Sequence, residues 1–120
     1  MEESRKNLVN TAVESIKEKK GTDIVIADLS EIECASVQKF IICSAKSTTQ
    51  VTAIADNVRE RLLSETGTKP YAYDGYKNSQ WIVIDYGELF VHVFLPETRN
   101  YYKLEQLWND ADFTYVPNEE

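Results

Sequence analysis

Cysteine is scarce in this chain, where Cys34 and Cys43 are the only two among 120 residues. Two cysteines without a secretory signal do not make a disulfide framework, and both are read as reduced thiols. Histidine is scarcer still, because His92 stands alone. Two thiols and one imidazole fall short of the four ligands that a structural zinc takes, so neither a metal nor a cofactor is expected. No apolar run approaches the ~20 residues needed to cross a bilayer, which leaves a soluble globular protein as the expectation. The opening residues, MEESRKNLVN, have neither the apolar core of a signal peptide nor the acid-poor, Arg-rich character of a transit peptide. On that reading the chain is expected to stay in the cytoplasm.

Positive charge is also in short supply. Thirteen Lys and Arg face twenty Asp and Glu, a formal net charge of −7. Nucleic-acid binders usually carry a basic footprint, so little direct nucleic-acid contact is expected and a basic protein partner fits better. Net charge speaks to solubility first and decides nothing alone. The length suits one hydrophobic core. Residues 1–111 are expected to form it, and residues 112–120, acidic and holding Pro117, are expected to fray.

Glycine and proline, four and three in number, serve as punctuation for the elements between them. Leu8, Ala12, Val13 and Ile16 recur at helical spacing, and Gly21 follows the Lys-rich stretch 17–20 as a helix stop. Residues 23–29 (DIVIADL) and 39–44 (KFIICS) are short, β-branched and apolar, like strands buried on both faces. Ser47 and Gln50 match a capping box that opens a helix whose apolar stripe is Val51, Ile54, Ala55, Val58 and Leu62. That helix ends near Gly67, before Pro70. Residues 71–73 suggest a short strand before the turn-like Asp74-Gly75. WIVIDY (81–86) and LFVHVFL (89–95) flank Gly87-Glu88 at a spacing suited to a two-residue hairpin. Pro96 stops the second of these strands, and Tyr101, Leu104, Leu107 and Trp108 suggest a short last helix. The expected class is α/β or α+β, a mixed five-stranded sheet with helices packed on it.

The hairpin register pairs Tyr86 with Leu89, Ile84 with Val91 and Ile82 with Val93 on one face, which reads as core. The other face collects Asp85 with Phe90, Val83 with His92, and Trp81 with Phe94. It is aromatic, with one acid and the single histidine. Such a face either lies under another helix, with His92 satisfied in a core and Asp85 capping a turn, or serves as a docking surface. Tyr86, Tyr101 and Tyr102 are further docking candidates, since tyrosine joins contact area to a hydroxyl that tolerates a wet rim. The Tyr101-Tyr102 pair also fits plain helix packing.

Three stretches carry a resemblance: DIVIADLSEI, FIICSAKSTTQVTAIADNV and WIVIDYGELFVHVFLPETRNYYKLEQLW. Together they strongly resemble the ribosomal silencing factor family, also called Iojap-like, across residues 8–111. Most specific is the W-(apolar)3-D-Y-G-acid strand, followed by V-H-apolar-F, a Pro, and Y-x-L-E-x-L-W. The resemblance implies a mixed-sheet fold similar to nucleotidyltransferases. It also implies binding to the large ribosomal subunit through its protein fourteen, which lies on the face that meets the small subunit. The implied action is to block subunit joining and repress translation when nutrients are short, with a role in large-subunit assembly and a homodimer when free. Carried onto this chain, the family's aromatic and acidic surface falls on Trp81, Asp85 and Tyr86, with His92, Phe94 and Tyr102 beside them. One departure bears on a turn: many relatives have Gly after the second strand, where this chain has Ala45 and Lys46, and only Gly takes positive φ freely.

The rival reading is a small nucleotidyltransferase-like enzyme, yet a shared fold does not license the activity. That chemistry takes two acids one residue apart on a strand after a Gly-Ser turn, to hold a divalent metal near a phosphate. Asp85 and Ser44 do not stand in that pattern. Asp85 and His92 could form an acid–base pair, but no nucleophile accompanies them. Catalytic residues are therefore not assigned. Bases stacked on sheet aromatics would make an RNA-binding module, against which the missing basic surface weighs.

Overall fold

A computed structural model describes residues 2–30, 38–107 and 110–118, with the side chains of 2–7 left aside. Cys34 and Trp108 lie outside the described residues. The first helix, α1 (Glu2–Glu18), leads into β1 (Thr22–Asp28) and β2 (Lys39–Ser44), and then comes the long helix α2 (Thr48–Thr66). Next are β3 (Ala72–Asp74), β4 (Trp81–Asp85), β5 (Leu89–Phe94), the short helices α3 (Pro96–Tyr102) and α4 (Leu104–Leu107), and β6 (Asp112–Val116). The strands form one sheet in the order β3-β4-β5-β2-β1-β6. Only β2 and β5 run parallel; the other neighbours are antiparallel.

The sheet thus has six strands where five are expected. The extra one comes from the tail: Asp112–Val116 pairs with β1 along its whole length, Val25 opposite Tyr115 and Ala27 opposite Phe113. A frayed tail is expected for residues 112–120, and within it residues 112–116 form a strand instead. The free edge of β1 offers backbone partners, and the alternation in DFTYV gives the tail apolar side chains to lay down. Asn118 extends the tie, accepting from the Asp23 amide at 2.9 Å.

α1 and α2 pack on one sheet face. Every member of the expected α2 stripe, Val51, Ile54, Ala55, Val58 and Leu62, is fully buried. They meet Ile24, Ile41, Ile82, Ile84, Val91 and Val93 from the sheet. Full burial of such a side chain stabilises by about 1.5–3 kcal/mol each. Ser47 caps α2, its Oγ accepting from the Gln50 amide at 3.1 Å. Gln50 reaches back one residue further than a capping box requires: its Oε1 accepts from the Lys46 amide at 2.7 Å, not from Ser47. Its Nε2 donates to the carbonyls of Lys19 and Lys20, so one side chain joins the end of α1 to the start of α2. The left-handed residue that ends α1 is Lys20 (φ 67), not Gly21. Gly21 is needed instead because a Cβ there would run into the Ile16 side chain. In the turn after β2, Ala45 is not among the residues with positive φ, so the backbone there does not call for Gly.

Candidate docking surface

The hairpin forms in the expected register, Trp81 opposite Phe94, Val83 opposite His92 and Asp85 opposite Phe90. Gly87 takes φ 85 as the first loop residue, a value other residues adopt at a cost. Asp85 Oδ1 accepts from the Gly87 amide at 2.7 Å, so this acid caps the turn. Since side chains alternate, Trp81, Val83 and Asp85 share the sheet face turned away from α1 and α2.

That second face holds its own smaller core, in which Ala27, Leu29, Phe40, Ile42 and Phe94 are buried. Trp81, Phe90, Leu104, Ala111 and Phe113 pack on it and are only partly covered. His92 sits at the centre, with the rings of Phe40, Trp81, Phe90 and Phe94 between 5.8 and 6.3 Å from its own. Its Nδ1 accepts from the Trp81 indole N–H at 3.0 Å, which places the imidazole proton on Nε2. Burial in this apolar setting lowers the His92 pKa to about 4, so the ring is neutral at ordinary pH.

The described cover on this face is thin. α3 and α4 contain no buried residue. Tyr102 lays its ring against Trp81 at a centroid distance of 4.8 Å while remaining 49% exposed. Tyr101, Leu107 and Tyr115 are largely exposed around it. The result is a sheet face whose inner layer is closed and whose outer layer, Trp81, Tyr102 and Phe90 with Tyr101 and Tyr115 at the rim, presents aromatic surface. Tyrosine and tryptophan in that arrangement are the side chains enriched at protein interfaces.

The structure does not bring all six residues expected for the site to this surface. Trp81, Asp85 and Tyr102 are accessible on this face or its edge. Phe94 is fully buried and His92 nearly so, which makes them the support beneath Trp81. Tyr86 departs from the group: its side chain enters the core under α2 and is 6% exposed. The alternation that puts Asp85 on the outer face puts Tyr86 on the inner one. Desolvation pushes its phenol well above the usual range, and its hydroxyl has no hydrogen-bond partner among the described residues. Sequence reasoning missed Phe113 and Tyr115, although the alternation in DFTYV is the signal that would have found them.

The acid–base pair considered between Asp85 and His92 is not assembled, since each bonds elsewhere: Asp85 to the hairpin turn and His92 to Trp81. Ser44, at the end of β2, accepts from Arg99 Nη1 at 2.9 Å, and the same Arg99 nitrogen donates to the Asp23 carbonyl. Among the described residues no group of three His, Cys, Asp or Glu side chains is placed to hold a metal ion. No described helix is long and apolar enough to cross a membrane.

Comparison with known proteins bears on the family and the fold. The family model for ribosomal silencing factor during starvation matches residues 2–120. The ribosomal silencing factor RsfS of Halalkalibacterium halodurans is 35% identical over 108 residues, 90% of this chain and 91% of its own. That of Bacillus subtilis is 32% identical over 108 residues, 90% of each chain. A crystal structure of a protein from Chromobacterium violaceum superimposes with a TM-score of 0.81 at 30% identity, covering 94% of this chain and 92% of that one.

Proposed function

This chain belongs to the ribosomal silencing factor family, and from that premise we propose that it docks on the large ribosomal subunit through protein fourteen and keeps the small subunit from joining. The observation that carries the proposal is the half-covered aromatic face around Trp81 and Tyr102. Trp81 is held rigidly by Phe94, His92 and Tyr102, so little side-chain freedom is lost when a partner covers it. Asp85 at the edge of the face suits a Lys or Arg of a basic ribosomal protein, and the net charge of −7 favours such an encounter.

The mechanism needs no bond made or broken. A folded body 35 × 33 × 30 Å across, seated where two subunits meet, excludes the second subunit by volume alone. Regulation then depends on occupancy, so translation falls when this protein outcompetes the small subunit for that surface. We assign the action to the cytoplasm and to nutrient shortage, with a part in large-subunit assembly. The exposed aromatic face is also what a homodimer of the free protein would cover.

Sedimentation tests this reading. The natural chain is expected to comigrate with isolated large subunits and to prevent added small subunits from joining them. Tyr102→Ala and Trp81→Ala are expected to lose both effects, with circular dichroism showing the fold retained. A natural chain that fails to comigrate overturns the proposal, as do two folded variants that bind unchanged.

A further inference from the structure

One corner of this acidic molecule carries the opposite charge. α1 runs out through Lys17, Lys19 and Lys20, and Lys46 stands just before the Ser47 cap of α2. Gln50 fixes these two segments together through its bonds to Lys19, Lys20 and Lys46 backbone atoms. Between them lies a hollow of about 380 Å³ bordered by Lys17, Lys20, Lys46, Gln50, Pro117 and Asn118. Lys19, Lys20 and Lys46 are exposed, and among the described residues no carboxylate pairs with any of the three. The arginines differ: Arg59, Arg61 and Arg99 each lean on an Asp or Glu. Among the described residues, Glu18 is engaged with Asn57 and Arg61, and Asp23 with Asn118. The first turn of α2 contains no acidic residue, so nothing there offsets the positive helix end.

We propose that this lysine rim is a second contact of the docked protein, made to the phosphodiester backbone of ribosomal RNA beside the protein contact. It rests on the large-subunit reading given above. Two observations favour a backbone over a small anion. All three lysines are exposed, Lys20 and Lys46 at the hollow and Lys19 next to Lys20 in the chain, whereas a small anion is held by buried donors that converge on it. Point charges spaced along a rim are what positions a phosphate chain without reading its bases.

The second observation is placement. Strand pairing sets Trp81 opposite Phe94, Phe94 beside Ser44, and Ser44 opposite Thr22. Trp81 and Thr22, which lines the hollow, therefore lie at the same end of the sheet, three strand spacings or ~14 Å apart along it. The lysines stand on the helix side of that end and Trp81 on the other side, so a partner that covers the strand ends reaches both. The net charge of −7 does not forbid the contact, because physiological salt screens charges beyond ~8 Å and leaves the local lysines to act.

The test compares the natural chain with the triple variant Lys19→Gln/Lys20→Gln/Lys46→Gln and with Trp81→Ala, measuring binding to isolated large subunits across a salt series. Each phosphate contact contributes roughly 0.7–0.9 to the slope of log affinity against log salt. The triple variant is expected to bind at least tenfold more weakly at low salt, with the slope shallower by about 2. Trp81→Ala is expected to weaken binding at every salt concentration and leave the slope unchanged. A triple variant with the natural slope and affinity overturns the RNA contact while leaving the protein contact standing. If the natural chain does not bind subunits at all, the docking reading falls, and a short RNA duplex then decides the lysine rim. Salt-sensitive retention of the natural chain but not the variant supports it, and no retention overturns it.

Discussion

The indole N–H of Trp81 donates to Nδ1 of His92 across 3.0 Å, joining a partly buried aromatic on β4 to the single, nearly buried histidine on β5. The two residues are diagonal neighbours on one sheet face, since Trp81 lies opposite Phe94 and His92 opposite Val83. The bond fixes the orientation of the indole and the tautomer of the imidazole together. The side chain proposed to dock is thereby anchored to the core it stands on.

Acid should weaken the fold through His92. Burial holds its pKa at about 4, below the ~6.5 of an unfolded chain. Above pH ~6.5 both states are neutral there; as pH falls toward 4 the unfolded state takes the proton first, and stability is lost over that window. Linkage puts the loss at up to ~3 kcal/mol. Urea midpoints at pH 7 and 4.5 should differ more for the natural chain than for His92→Gln, and the imidazole resonance should titrate near pH 4. A midpoint shift equal in both proteins, or a resonance titrating near 6.5, would contradict this.

Trp81→Phe keeps the ring and removes the donor. His92 Nδ1 is then left without this partner, at a cost of about 1–3 kcal/mol. Chemical denaturation measures that loss, and imidazole nitrogen shifts should report a mixture of tautomers in place of one.

Two glycines with positive φ should respond differently to alanine. At Gly67 (φ 70) an added Cβ meets nothing within 4 Å, so only backbone strain of roughly 1–2 kcal/mol is expected. At Gly87 (φ 85) the Cβ would also stand 2.9 Å from the Tyr71 ring. Gly87→Ala should therefore lower the melting temperature more than Gly67→Ala, and Tyr71→Ala should recover the difference.

Deleting residues 112–120 should do more than trim a tail. It strips β6 from β1, leaving an apolar strand at the sheet edge and taking Phe113 off the second core. The shortened protein is expected to melt several degrees lower and to aggregate on heating. Light scattering during a thermal ramp would show it, and an unchanged melt would deny β6 a structural role.

Local pattern carried much of this architecture. The α2 stripe from Val51 to Leu62, the Gly87-Glu88 turn and the full β4–β5 register follow from side-chain periodicity and turn chemistry, which act between residues close in sequence. They were legible because each is decided within about one helical turn or one hairpin. The proposed docking face was legible in part. Alternation named Trp81 and Asp85, yet Tyr86, adjacent to Asp85 in the chain, points into the opposite core.

By itself, then, the sequence determined the elements up to α4, the aromatic character of one sheet face and the family pattern of residues 81–108. Tertiary structure decided how deeply each aromatic sits: Phe94 and His92 became support and Tyr102 became surface, because burial depends on which layers meet, and those layers come from distant segments. It also decided the fate of the tail. Five residues with no partner in their own neighbourhood became a strand because β1, more than eighty residues earlier, had an open edge to offer.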